Sequence, residues 1–274
     1  MRGIHFGPEM TFRGNMMKRS FMLVFLFCTQ VVLVSITHAE DVLVAVATNF
    51  TSCLKELVVG FEQKTKHHVV VSPGSTGKLY AQITNGAPFD VFLAADVRRP
   101  QLLEKEGLAV KGSRFTYAIG RLTLWSAHPS LVNGDGAEIL LAQPFRYLAI
   151  ANPKTAPYGA AARQTLEALD LWDKVQPYIV QGENIGQTFQ FVASGNAELG
   201  FVALSQVMNP KMKGIGSRWD VPEYLFQQLK QDVVLLTRGK SNRGARALLE
   251  YVQGAEARRF ITRFGYDVTI TGRN

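Results

Sequence analysis

The chain has 274 residues, of which 47% are hydrophobic and 19% charged. This balance is typical of a globular protein with a large core and excludes a disordered chain. The formal net charge is +8, but the basic residues are scattered apart from Arg258, Arg259 and Arg263, so the clustered basic face typical of nucleic-acid binding is missing and we expect no such partner. Only Cys53 of the two cysteines lies beyond residue 39.

The first 39 residues have the pattern of a secretory signal peptide. Lys18 and Arg19 precede an apolar run at residues 21–36, and Ala39 supplies a small residue at the cleavage position. A membrane anchor is the alternative, but the run is short for a span and polar residues interrupt it. We therefore predict a signal peptide at residues 1–39 and a periplasmic protein; the start codon stays open between Met1 and Met17.

In chain order, the first elements predict a β-α-β arrangement. A strand at residues 42–47 leads into Thr48-Asn49 and a helix whose apolar face falls within residues 54–61. A second strand at residues 69–71 is followed by a polar turn, Gly74-Ser75-Thr76-Gly77, and a helix that stops at Gly86. The strand at residues 91–95 is apolar throughout, which is typical of a parallel strand buried on both faces.

The alternation continues to the C-terminus. Asp96 is predicted to cap a helix that Gly107 ends, and residues 120–126 form a strand with alternating polarity. The later predicted strands lie at residues 147–151, 178–180, 199–203 and 233–236. The later predicted helices lie at residues 161–169, 189–193, 248–252 and 260–264, and Ser241 is predicted to cap the third of them. Residues 208–228 are predicted to be a looser segment.

This alternation of strands and helices is typical of an α/β fold with sheets flanked by helices. Two comparable series indicate two lobes, and the strands at residues 120–126 and 233–236 are the predicted crossings between them. We predict a discontinuous first lobe at residues 40–121 and 235–274, and a second lobe at residues 122–234.

Four of the loops that precede helices share one chemistry. Each supplies hydroxyl, amide or main-chain N–H donors and contains no Lys or Arg; they are Thr48-Asn49, Ser75-Thr76-Gly77, Pro157-Tyr158-Gly159 and Asn184-Ile185-Gly186. The first amides of a helix lack intrahelical acceptors and carry the positive end of the helix dipole. Such termini bind anions, so the four loops predict one oxyanion cage.

Two motifs of other protein classes, the P-loop and the hydrolase Gly-x-Ser-x-Gly motif, do not match this sequence. The stretch around Gly74 to Lys78 differs from a P-loop because Ser72 occupies the position of the first glycine and Leu79 replaces Ser or Thr. The Gly-x-Ser-x-Gly motif of hydrolases does not occur in the sequence.

Together these motifs resemble the molybdate-binding proteins of bacterial ABC importers. The similarity runs from about residue 41 to residue 266, and it is carried by residues 46–50, 74–77, 86–96, 151–153, 156–159, 182–184, 200–205 and 264–266. The resemblance implies a hinged, two-lobed periplasmic binding protein fold of type II, with mostly parallel sheets. It implies a monomeric receptor, not an enzyme, that needs no cofactor and delivers molybdate or tungstate to a permease in the inner membrane.

The resemblance also implies a set of ligand residues, which contact the oxygens of the oxyanion and not its metal. Thr48 and Asn49 fall on the first ligand loop, and Ser75 or Thr76 on the second. The expected contributions of Tyr158 and Ile185 are main-chain N–H groups.

The chain departs from the family pattern at two places. Many relatives have Ala-Ser where this chain has Thr48-Asn49, and some place a tyrosine hydroxyl where Ala203 stands. Asn49 is expected to replace the lost contact. Replacing Thr48 and Asn49 together by alanine should therefore weaken binding more than about tenfold with little loss of fold.

Two alternatives stay open. The same fold could bind another anion such as sulfate, phosphate or a ferric complex, or the chain could be an enzyme that acts on a phosphorylated or sulfated substrate. An enzyme would need a base at the site, and the nearest candidates, Asp90 and Asp96, are better explained as a strand-end residue and a helix cap. The sequence does not separate molybdate from tungstate.

Overall fold

The computed structural model describes residues 3–5 and 39–268. The predicted signal peptide therefore lies, except for its last residue and residues 3–5, outside the described residues. Among the described helices, none has the length and apolar character needed to cross a bilayer.

Residues 39–126 form five strands and three helices. These are β1 (Asp41–Ala47), α1 (Thr51–Thr65), β2 (His68–Gly74), α2 (Thr76–Thr84), β3 (Val91–Leu93), α3 (Arg98–Lys105), β4 (Phe115–Gly120) and β5 (Leu122–Ser126). Residues 127–268 add α4 (Gly136–Ala142), β6 (Leu148–Ala151), α5 (Pro157–Ala168), α6 (Trp172–Val175), β7 (Ile179–Gly182), α7 (Ile185–Ala193), β8 (Leu199–Ala203), α8 (Leu204–Val207), β9 (Ser217–Asp220), β10 (Leu229–Leu235), α9 (Arg243–Gln253) and α10 (Ala255–Arg263).

The strands of residues 39–268 form two five-stranded sheets, in the orders β2-β1-β3-β10-β4 and β7-β6-β8-β5-β9. In each sheet four strands run in one direction, and one strand, β10 or β5, runs against them. We call the first sheet with α1–α3, α9 and α10 the first lobe, and the second sheet with α4–α8 the second lobe. The chain passes between the sheets from β4 to β5 and from β9 to β10.

The uniformly apolar β1 is explained by helices on both faces of its sheet. Val44 and its alternate neighbours pack against α1, α9 and α10. Ala45 points to the opposite face and packs with Leu79 of α2 and Leu103 of α3. Strands covered on both sides have no polar face, as expected for the parallel part of an α/β sheet.

Several boundaries differ from the sequence predictions. Of the predicted strand at residues 120–126, residue 120 ends β4 and residues 122–126 form β5, which is buried throughout and shows no exposed polar face. The cap of α9 is Asn242, whose Oδ1 accepts from the Ala245 amide at 3.0 Å, and not Ser241. The looser segment contains β9, a polar strand without an apolar run. All of β10 pairs in the first sheet, whereas the predicted second lobe includes its residues 229–234. The polar residues Lys230, Gln231 and Asp232 interrupt the apolar pattern in its first half.

Candidate functional site

The four predicted loops meet at one small cavity between the two lobes. All six predicted ligand residues line it. The eleven described residues of its wall are uncharged: Ala47, Thr48, Asn49, Gly74, Ser75, Thr76, Ala95, Ala156, Pro157, Tyr158 and Ile185.

Three helix N-termini face this cavity. Thr76 is the first residue of α2, Tyr158 the second of α5, and Ile185 the first of α7. Main-chain amides in these positions have no acceptor within their own helix. The positive ends of three helix dipoles therefore converge where the wall carries no formal charge, an arrangement that suits an anion.

Ser75 and Thr76 have different roles in the second loop. The Ser75 hydroxyl is buried, lines the cavity and has no hydrogen-bond partner among the described residues. Thr76 Oγ1 accepts a hydrogen bond of 3.0 Å from the main-chain amide of Ala95. A buried hydroxyl without a partner is costly, so Ser75 is the side chain of this loop with the greatest need of a ligand contact, whereas Thr76 has only its hydroxyl proton left to donate.

Thr48 and Asn49 also differ from each other. Thr48 Oγ1 accepts a hydrogen bond of 3.2 Å from the Gly186 amide, and its hydroxyl proton stays available for an acceptor in the cavity. Asn49 Nδ2 instead donates away from the cavity, to Gln231 Oε1 at 2.8 Å and Tyr266 Oη at 3.1 Å. The expectation that the Asn49 amide replaces a missing ligand contact is therefore not supported, because both of its N–H groups are used.

Ala203 lies outside the cavity wall, and its methyl side chain offers no donor. It is fully buried, and its main-chain amide donates to Gln206 Oε1 at 2.9 Å. The loss of a tyrosine contact at this position stays a prediction.

A buried polar network lies behind the first loop, and no sequence motif indicated it. Tyr266 Oη donates to the Asn49 carbonyl at 2.8 Å, and the Ser205 hydroxyl donates to the same oxygen at 3.2 Å. Gln231 joins Asn49 to Tyr158. Burial raises the pKa values of Tyr158 and Tyr266 well above that of a free tyrosine, so these hydroxyls stay protonated and the network stays neutral.

The two lobes touch directly around the cavity. The Gly77 amide donates to the Thr155 carbonyl at 2.8 Å, and Arg99 Nη2 donates to the Lys154 carbonyl at 3.3 Å. An ion pair joins Lys78 to Glu183 at the surface. The described structure is therefore a closed arrangement of the two lobes.

Two larger depressions are less suited to bind a small anion. A larger cleft adjoins the cavity, shares Ala95, Ala156 and Pro157 with it, and exposes basic side chains to solvent. A second groove lies on the second lobe around Met208 and Met212. Neither depression is lined by the unpaired Ser75 hydroxyl or by Ile185. The candidate site is therefore the smaller cavity and not a larger depression. Among the described residues, no group of three His, Cys, Asp or Glu side chains could hold a metal ion.

Comparisons with known proteins identify the family of the chain. A family model for "Bacterial extracellular solute-binding protein" matches residues 42–267. The molybdate-binding protein ModA of Azotobacter vinelandii is 53% identical over 229 residues, which cover 84% of this chain and 90% of that protein. The ModA protein of Rhodobacter capsulatus is 46% identical and covers 83% and 88% of the two chains.

Solved structures show the same fold. The periplasmic molybdate-binding protein of Azotobacter vinelandii superposes with a TM-score of 0.80 at 42% identity, over 83% of this chain and 99% of that one. The sulfate-binding protein SubI of Mycobacterium tuberculosis has a TM-score of 0.70 at 12% identity, over 84% and 86% of the chains. At that identity the likeness concerns the fold alone.

Proposed function

The chain belongs to the bacterial extracellular solute-binding protein family, and on that premise we propose that it captures molybdate or tungstate for an ABC transporter. The proposal rests on one observation: three helix N-termini and the unpaired Ser75 hydroxyl surround a cavity with an uncharged wall. The two ModA relatives, both named as molybdate-binding proteins, support this choice of ligand. On this proposal the protein is a receptor and not an enzyme.

The binding chemistry follows from the donors. A tetrahedral dianion has four oxygens that accept hydrogen bonds, and the Thr48 and Ser75 hydroxyls can meet it together with the amides of Tyr158 and Ile185. Such donors are fixed in place by helices, and they stabilise the dianion without a charged partner. A neutral cage also discriminates between anions, because an ion of the wrong size or protonation state leaves buried donors unmatched, at about 1–3 kcal/mol each.

On this proposal, closure of the two lobes prepares the receptor for transport. Closure over the anion would bury it and would form a surface that spans both lobes. A permease of the inner membrane could recognise that surface, so that only the loaded receptor delivers its ligand. The predicted signal peptide at residues 1–39 and the periplasmic relative support a periplasmic location, and we expect the receptor to act as a monomer.

Calorimetry tests the ligand. Protein recovered from the periplasm of an expressing host is titrated with molybdate, tungstate, sulfate and phosphate, and its N-terminal residue shows whether cleavage follows Ala39. We expect one molybdate or tungstate per chain, and sulfate and phosphate at least about a hundredfold weaker, equal to about 2.7 kcal/mol. Equal affinity for sulfate, tighter binding of phosphate, or no binding of any of the four anions would contradict the proposal. Turnover of a phosphate or sulfate ester would favour the enzyme alternative.

A further inference from the structure

Gln231 connects two of the four loops that form the cavity. Its side chain is fully buried on β10. Its Oε1 accepts from Asn49 Nδ2 at 2.8 Å, and its Nε2 donates to Tyr158 Oη at 3.1 Å. Asn49 belongs to the first lobe and Tyr158 to the second, so one amide group links the lobes directly behind the cavity.

The surrounding backbone is shaped around this link. The pairing of β10 with β4 shifts register between Gln231 and Asp232, which leaves Tyr117 of β4 in a bulge. The Tyr117 hydroxyl lies 3.0 Å from Gln231 Oε1 and 3.0 Å from the carbonyl oxygen of Ala94. Bulges of this kind re-aim side chains beside functional sites.

Gly120 provides the space that the link needs. A Cβ atom at this position would lie 2.1 Å from Tyr158 Oη and 2.4 Å from Gln231 Nε2. Any side chain at residue 120 would therefore displace the pair. Glutamine also fits the two partners chemically, since it accepts from Asn49 and donates to Tyr158 at the same time, which neither an ionised carboxylate nor an aliphatic side chain can do.

From this geometry we infer that Gln231 is a positioning residue that couples closure of the lobes to ligand affinity. The inference rests on the proposed function. Tyr158 is expected to contact the anion through its main-chain amide, while its hydroxyl contacts Gln231. The bond to Gln231 spans the two lobes and forms when they close, so it stabilises the closed state selectively. A bond made only in the ligand-bound state adds to the affinity and leaves the ligand-free protein unchanged.

A double-mutant cycle tests the coupling, with molybdate as the probe. Tyr158→Phe removes the hydroxyl and keeps the main-chain amide, and Gln231→Met removes the amide group at similar length. We expect Tyr158→Phe to weaken molybdate binding about three- to tenfold, the range of one buried hydrogen bond. The double variant should bind no more weakly than Gln231→Met alone, because both changes break the same link.

Tyr117→Phe is the matched control. It also removes a buried hydroxyl beside Gln231 Oε1, but its partners Gln231 and Ala94 lie in the first lobe with it. We expect the control to lower the melting temperature of the ligand-free protein and to change the molybdate Kd less than about twofold. Tyr158→Phe should show the reverse: a weaker Kd and a nearly unchanged melting temperature. If Gln231→Met does not fold, these two tyrosine variants decide the question.

The outcomes separate the two proposals. If the wild-type protein binds molybdate and Tyr158→Phe binds it with the same Kd, the inference is overturned and the proposed function stays intact. Equal losses of affinity in Tyr158→Phe and Tyr117→Phe would show a merely structural network and would also overturn it. Wild-type protein that binds no oxyanion refutes the proposed function, and the inference falls with it.

Discussion

The main-chain amide of Gly77 donates a hydrogen bond of 2.8 Å to the carbonyl oxygen of Thr155. Gly77 lies in the first turn of α2 in the first lobe, and Thr155 lies in the loop before α5 in the second. A Cβ atom at residue 77 would lie 2.9 Å from that oxygen, closer than real contacts of this kind. The closed arrangement therefore depends on a position without a side chain.

Gly77→Ala should weaken molybdate binding more than about tenfold, because the added methyl group holds the lobes apart when they close. Alanine is a better helix former than glycine, so the ligand-free protein should be as stable as the wild type or more stable by up to about 1 kcal/mol. Calorimetry with molybdate and thermal unfolding without ligand measure the two effects. Wild-type affinity in this variant would show that closure does not bring these two loops together.

Ser75 and Thr76 offer a direct comparison within one loop. Ser75→Ala removes a buried hydroxyl without a partner among the described residues, so the ligand-free protein should lose no stability. Binding should weaken about tenfold or more, the value of one hydrogen bond to a charged ligand. Titration with molybdate and urea unfolding measure both properties.

Thr76→Val is the matched control for that change. It keeps the side-chain shape but removes the acceptor of the Ala95 amide, which should lower the free energy of unfolding by about 1–3 kcal/mol. Its molybdate affinity should change less than that of Ser75→Ala. The opposite ranking of the two variants would assign the ligand contact to Thr76.

Most of the fold could be predicted from apolar runs and helix caps. Residues 199–203 read as a strand because all five are apolar or glycine, and β8 spans those five residues. The convergence of the four loops was predictable in part. Parallel strands place the following helix N-termini at one edge of a sheet, which brings together the loops after β1 and β2 and, in the other sheet, those after β6 and β7. A local pattern is sufficient to predict a helix cap such as Asn184, because asparagine before a helix usually accepts a hydrogen bond from the first turn.

The parts that could not be predicted depend on partners far away in the sequence. Gln231 looks like a surface residue between Lys230 and Asp232, and only the pairing of β10 with β4 places it inside. Asn49 looks like a ligand at a helix mouth, but its amide partners lie 182 and 217 residues further along the chain. No local pattern distinguishes an amide that faces a ligand from one that faces a buried network.

Because the Asn49 side chain belongs to the buried network, replacing Thr48 and Asn49 together should lower stability as well as affinity. The two residues are therefore tested one at a time. Thr48→Val keeps the shape of the side chain and removes the hydroxyl, so binding should weaken about tenfold or more while ligand-free stability stays near that of the wild type. Asn49→Ala removes the side-chain donor that Gln231 Oε1 and Tyr266 Oη share, and it should lower the free energy of unfolding by about 1–3 kcal/mol. Separate titrations and urea unfolding curves of the single variants check this division. Unchanged stability in Asn49→Ala would show that its amide is not part of the network.

The buried tyrosines predict an alkaline limit to stability. Burial raises the pKa values of Tyr117 and Tyr266 in the folded protein above the ordinary value of 10.0, and burial raises that of Cys53 above 9.0. Above these ordinary values the unfolded chain loses protons that the folded protein keeps.

The free energy of unfolding should therefore be constant up to about pH 9 and then fall, by up to about 1.4 kcal/mol per pH unit for each buried group. Urea unfolding between pH 7 and 11 measures this slope. Tyr117→Phe should make the slope above pH 10 shallower by the contribution of one group, whereas Tyr224→Phe, at a residue that is 86% exposed, should leave it unchanged. Equal slopes in the wild type and Tyr117→Phe would mean that the Tyr117 hydroxyl is open to water, which the network around Gln231 does not allow.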